Sequence, residues 1–133
     1  MSSPAHAQSP AWWHDRNVIE TNSVVADYAP AVLGQLKWFA TNACDELEAQ
    51  LPGGAGTDVW DLVQGFSALS NNWLTANIGQ LKAVAEPFYA RLNVVKYYTN
   101  DYRRWSSETN DDRDYAIANI GQLKYVFDFG FID

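Results

Sequence analysis

Apolar residues recur at intervals of three and four along three stretches of the chain. In the first, Leu33, Leu36, Phe39, Ala40, Ala43, Leu47 and Leu51 share one helical face. In the second, Ile78, Leu81, Val84, Ala85, Phe88 and Leu92 do the same. Pro87 sits inside that stretch and is expected to kink the helix or to end its regular part. The third, with Ile120, Leu123, Val126 and Phe127, is shorter and stops near Gly130. The first stretch runs into PGGAG at 52–56, a clear stop signal. A further helix is predicted from Thr57 or Asp58 to Leu69, with Val59, Leu62, Val63, Phe66 and Leu69 on its apolar face. Residues 93–114 read as a short strand-like or helical piece followed by a polar loop, and no strand alternation is sustained elsewhere. The pattern predicts an all-α fold: three related helices, one extra helix and irregular connecting segments.

The three related helices begin alike. ANIGQLK stands at 76–82 and again at 118–124, and AVLGQLK stands at 31–37. The match extends to [DN]-[YW]-x-x-A-x-[LI]-G-Q-L-K-x-[FV], with Asp27-Tyr28, Asn72-Trp73 and Asp114-Tyr115 at one offset. Three copies of this length identify an internal repeat, and the expected architecture is three pseudo-repeats with cores at 27–51, 72–92 and 114–130. Asn77 and Asn119 suit the N-cap, where a side-chain oxygen accepts from a free backbone N–H. Gln80 and Gln122 then fall three residues on, where each reaches back to the cap amide. Val32 replaces Asn in the first copy, so its cap is weaker or shifted. Gly34, Gly79 and Gly121 leave room for another backbone to approach. The Gln residues, with Gln35 in the first copy, complete a helix-start device. Lys37, Lys82 and Lys124 are left over. A cation in the first turns opposes the helix dipole, so each lysine is expected either to pair with the [DN]-[YW] residues that precede its helix or to converge with glutamine on a hydroxyl-rich or acidic ligand.

With these motifs in hand, the chain from about 11 to 133 resembles the GQLK-repeat N-terminal domains of exported, often large, proteins of Verrucomicrobia-type bacteria. The resemblance implies export and a place ahead of other modules. It carries no established activity and so no catalytic residues. Val32 departs from its pattern, and the end at Asp133 leaves open whether another module follows. Residues 1–10 are expected to be a tail or a signal-peptide remnant, since Ala5-His6-Ala7 has the small-x-small form of a cleavage site. Residues 11–133 are expected to form a single domain.

Charge narrows the partners. A formal net charge of −7 argues against nucleic acid and anionic membranes, and no apolar run is long enough to span a bilayer. One cysteine, Cys44, and two histidines, His6 and His14, provide no metal cluster, and no motif calls for a cofactor. Glu86 and Glu108 are the candidate carboxylates for glycoside-type hydrolysis, and His14 is the candidate base of a nucleophilic site. No nucleophile elbow or phosphate-cradling glycine loop supports either. Aromatic residues make up 14% of the chain. Tyr97, Tyr98, Tyr102 and Trp105, beside Arg103 and Arg104, are candidates for stacking on sugar rings, and Trp12 and Trp13 form a second aromatic pair. Residues repeated in every copy read as scaffold, which puts any site in the unrepeated parts. The leading expectation is an exported, non-catalytic module that binds a cell-surface component, a glycan, a protein partner or another copy of itself. The alternative is a small carboxylate-dependent hydrolase of cell-wall or polysaccharide substrates.

Overall fold

The computed structural model describes residues 29–68, 72–105 and 112–129. Among them the chain is all-α: α1 (Leu33–Gln50), α2 (Thr57–Ser67), α3 (Ile78–Val94), a 3-10 turn (Asp112–Tyr115) and α4 (Ile120–Phe127). The apolar faces meet in one core. Leu36, Phe39, Ala43 and Leu47 of α1, Val59 and Val63 of α2, Val84, Phe88 and Leu92 of α3, and Leu123 and Phe127 of α4 are all buried. Phe127 lies edge-on to Phe88, with ring centroids 5.5 Å apart, and 6.0 Å from Phe39. Each such side chain adds about 1.5–3 kcal/mol on full burial.

Two local expectations change. Pro87 does not end α3, which continues seven residues to Val94. The carbonyl that loses its amide partner is that of Ala83, on the exposed side, where water can replace the lost bond. Residues 95–105 after α3 form neither strand nor helix. Lys96, Asn100 and Asp101 adopt left-handed backbone angles, which interrupt both, and the 3-10 turn ends the segment. The α1–α2 stop is built as the glycines suggest. Gly53, Gly54 and Gly56 have positive φ, and a Cβ at Gly54 would run into the Glu48 carboxylate. That carboxylate accepts from the Ala55 amide and the Trp60 indole, each at 3.0 Å. Arg91 of α3 donates to the carbonyls of Gly54 and Pro52 from the other side.

The extended residues before α1, α3 and α4 are hydrogen-bonded in a closed ring. The Ala31 amide donates to Ala118 O, the Ala118 amide to Ala76 O, and the Ala76 amide to Ala31 O, at 2.8–2.9 Å. Around it runs a second cycle: Leu33 N–H to Leu74 O, Ile78 N–H to Ala116 O, and Ile120 N–H to Ala29 O. Pro30 faces Asn119, Val32 faces Thr75, and Asn77 faces Ile117, each pair antiparallel. The three alanines have no exposed surface. Alternation along an extended chain turns their neighbours Pro30, Thr75 and Ile117 to the opposite side, and all three are exposed.

Candidate functional site

Most of the heptad is engaged inside the protein. Asn77 and Asn119 accept from the Gln80 and Gln122 amides at 2.8 Å, and each glutamine Oε1 accepts from the cap amide at 2.8 Å. In the first copy only half of this box forms: Gln35 Oε1 accepts from Val32 N at 2.9 Å, and valine has no acceptor to return. Gly34 N–H donates to Asn72 O at 2.7 Å. Its missing Cβ would stand 3.1 Å from that oxygen. Gly79 meets Asp114 in the same way, at 3.3 Å, and Gly121 holds the same place in α4.

The lysines pair across segments rather than with the residues preceding their own helices. Lys37 Nζ reaches Asn72 Oδ1 at 2.6 Å, and Lys82 Nζ reaches Asp114 Oδ1 at 2.6 Å. The glycine contacts explain the choice, because they bring the next [DN] residue against the first turn of the helix. Lys124 is buried and engaged as well. The residue at the matching offset, Asp27, lies outside the described residues.

The tyrosine stretch is brought together, and its hydroxyls face the end of α4. Tyr97 donates to Phe129 O at 2.6 Å, Tyr98 to the same oxygen at 3.4 Å, and Tyr89 to Val126 O at 2.6 Å. Arg104 donates to Tyr98 Oη, Tyr102 Oη and the carbonyls of Tyr125 and Asp128. A helix end leaves carbonyls without partners, and its negative dipole end favours a cation. Trp105 packs edge-on against Tyr89 at 4.9 Å, and Tyr89 stacks on Tyr98 at 5.6 Å. Burial raises the Tyr89 and Tyr97 phenols above their ordinary range and pushes Tyr98 up to about 12. They are neutral donors, which matches their carbonyl partners. Glu86 receives two bonds from Arg103, at 2.9 and 2.7 Å, and this pairing raises the arginine pKa further. Glu108, His14, Trp12, Trp13 and the 1–10 tail lie outside the described residues.

Tyr97, Tyr102 and Tyr125 keep part of their rings exposed, and the two most exposed aromatic rings among the described residues stand elsewhere, next to the extended segments. Trp73 is 76% exposed and Tyr115 is 86% exposed. Leu74 and Ile117 are half exposed between and beside them, with Ala29, Pro30, Thr75 and Ala116 also open. None of these eight residues is charged. An open hollow of about 490 Å³ adjoins Trp73, lined also by Val32, Gly34, Gln35, Trp38 and Asn72. The place of Trp73 and Tyr115 in the shared pattern reads as scaffold. The signal that marks them is in that same pattern: an aromatic residue directly follows each of the two described lysine partners, Asn72 and Asp114.

A second hollow, about 230 Å³, lies between the start of α2 and the α3 residues Pro87, Arg91 and Val94, with Asp58 its one carboxylate. Neither hollow gathers two carboxylates. Among the described residues no group of three or more His, Cys, Asp or Glu is placed to hold a metal ion, and no helix is long and apolar enough to cross a membrane. No family model, no curated protein and no solved structure matches the chain.

Proposed function

We propose that this chain is an exported, non-catalytic attachment module. Its scaffold is three pseudo-repeats closed on one another, and its binding surface is the uncharged face around Trp73 and Tyr115. The observation that carries the reading is the contrast between the heptad polar groups, engaged within the protein, and two aromatic rings left almost fully open on the same segments. Large exposed aromatics combine apolar area with a polar edge and recur at binding surfaces. With a net charge of −7 around an uncharged patch, the face selects a neutral glycan or a protein surface over a polyanion. Export rests on the resemblance to GQLK-repeat domains and on Ala5-His6-Ala7. The two hydrogen bonds that Arg103 donates to Glu86 argue against that carboxylate as a free acid or base. The test is retention of the full chain on cell-envelope and neutral polysaccharide preparations. The Trp73→Ala/Tyr115→Ala double variant should lose at least tenfold in retention with unchanged far-UV circular dichroism; retention equal to the parent chain would sink the reading.

A further inference from the structure

We infer that the hollow between Trp38 and Trp73 is a binding site for one ring of a neutral glycan, a pyranose stacked on indole and hydrogen-bonded by side-chain amides; the inference rests on the attachment reading and names its ligand. The sequence builds this hollow at the first junction between repeats. Gly34 lets the Asn72 backbone lie against the first turn of α1, where its carbonyl accepts from Gly34 N–H at 2.7 Å. Trp73, 76% exposed, directly follows Asn72. The half-buried Trp38 stands one turn further along α1. Both line the hollow of about 490 Å³, a size within the roughly 300–1,000 Å³ of small-ligand sites.

The ligand class follows from the groups that remain available there. The backbone amides are engaged: those of Val32, Leu33 and Gly34 go to Gln35 Oε1, Leu74 O and Asn72 O. A peptide strand therefore finds no edge to extend at this junction. The side-chain oxygens are engaged too, Gln35 Oε1 by Val32 N–H and Asn72 Oδ1 by Lys37 Nζ. A backbone amide and an ammonium only donate, so each side chain must turn its oxygen to that partner. Both amides, which also line the hollow, are thereby held in place, and neither NH2 group donates to any described residue. Two oriented neutral donors beside an aromatic face match a sugar. Its hydroxyl and ring oxygens accept, and its C–H face meets the electron-rich face of an indole. The second junction lacks this set. Asp114 stands where Asn72 does, has no N–H to give, and is held by Lys82 at 2.6 Å. Ala83 stands where Trp38 does, so Tyr115 lacks the counterpart of that ring. The sugar site therefore belongs to the first junction.

The closing experiment is isothermal titration of the full chain with neutral tetrasaccharides of the gluco, manno, galacto and N-acetylglucosamine types, and with a proline-rich decapeptide, each to about 5 mM. At least one tetrasaccharide should bind, and the peptide should not. Trp73→Ala should weaken that binding at least tenfold, and Tyr115→Ala less than twofold. Asn72→Asp and Gln35→Glu keep the oxygen that each contact within the protein uses and remove only the NH2 donor. Each should weaken binding at least threefold while thermal unfolding stays no lower than the parent's, a combination that a purely structural role would not give. No binding by any tetrasaccharide, binding indifferent to Trp73→Ala, or binding unchanged in both amide variants would overturn the site. Binding of the decapeptide alone overturns it in favour of a peptide ligand. Envelope retention that depends on Trp73 and Tyr115 without saccharide binding overturns the site and leaves the attachment reading standing, with a protein or a second copy as partner. Saccharide binding that depends on Trp73, with no retention on any preparation, upholds the site and removes attachment to those surfaces.

Discussion

Replacing Gly34 with alanine tests the close approach on which the α1 start depends. An added Cβ would lie 3.1 Å from Asn72 O and 3.2 Å from Asn72 Cβ. Asn72 has little freedom to retreat, because its carbonyl accepts from Gly34 N–H at 2.7 Å and its side chain accepts from Lys37 at 2.6 Å. Overpacking of this kind costs about 1–3 kcal/mol, and stretching the amide bond adds about 0.5–1 kcal/mol. Alanine returns at most about 1 kcal/mol of helix propensity, and less in the first turn. The net loss is about 1–2 kcal/mol, which lowers Tm by roughly 4–8 °C. Gly65, inside α2, is the internal control. Its Cβ would meet nothing within 4 Å, so Gly65→Ala gains roughly 0.5–1 kcal/mol of propensity without a clash. Urea and thermal unfolding of both variants, followed by far-UV circular dichroism, should therefore move in opposite directions. A Gly34→Ala chain as stable as the parent, or more so, would refute the argument that the glycine is there for Asn72.

The remaining predictions concern the cap, the lysine pair, the thiol and the acid limb. Val32→Asn should complete the half-formed box of α1 and raise stability by about 0.5–1 kcal/mol in urea melts, since Val32 and Asn77 have nearly the same backbone angles. Lys82→Met and Asp114→Asn, measured singly and together, should give a coupling of about 1 kcal/mol in a double-mutant cycle; independent effects would place the lysine's role in stem packing alone. Burial, with smaller contributions from Asp45 and Glu48, pushes the Cys44 thiol from 9.0 up to about 12. The native chain should therefore leave a thiol reagent unreacted at mild alkaline pH and react fully in urea. Because the neutral thiol is favoured in the fold, its contribution to stability is complete below the unfolded thiol pKa and is lost as pH rises toward 12, a decline that Cys44→Ser should remove. The Ala55 amide, followed by the Trp60 indole, holds the Glu48 carboxyl below its ordinary value. The stability it contributes is present above the unfolded carboxyl pKa and is lost as pH falls through the lower folded one. Glu48→Gln should flatten that part of the acid-unfolding curve.

Local signals carried the helices well, and contacts between segments carried the rest. Leu33, Leu36, Phe39, Ala40, Ala43 and Leu47 are buried as their spacing requires, and Asn77 with Gln80 forms the reciprocal cap expected from type and offset. The lysine partners were legible as residue types but not as an assignment. Spacing along one helix places Lys82 near its own start, while Asp114 reaches it only through a chain pairing 32 residues away. Pro87 alone does not decide the end of α3 for the same reason, since whether the orphaned carbonyl of Ala83 meets water is a tertiary fact. At the candidate site, repetition was equated with scaffold. That holds for Gly79, Gln80 and Lys82. Trp73 and Tyr115 share the motif, yet their rings stay largely exposed.

The cycle of amide bonds among Ala31, Ala76 and Ala118 also fixes how this protein can vary. In an open solenoid, units are inserted or deleted by gene duplication, because every internal unit meets its neighbours through the same interface. Here the third donor finds its acceptor in the first segment, so no free end remains at which a fourth unit could join. Inserting a further segment would therefore have to break this cycle. Loss of one segment would orphan four backbone groups, two in the inner cycle and two in the outer one.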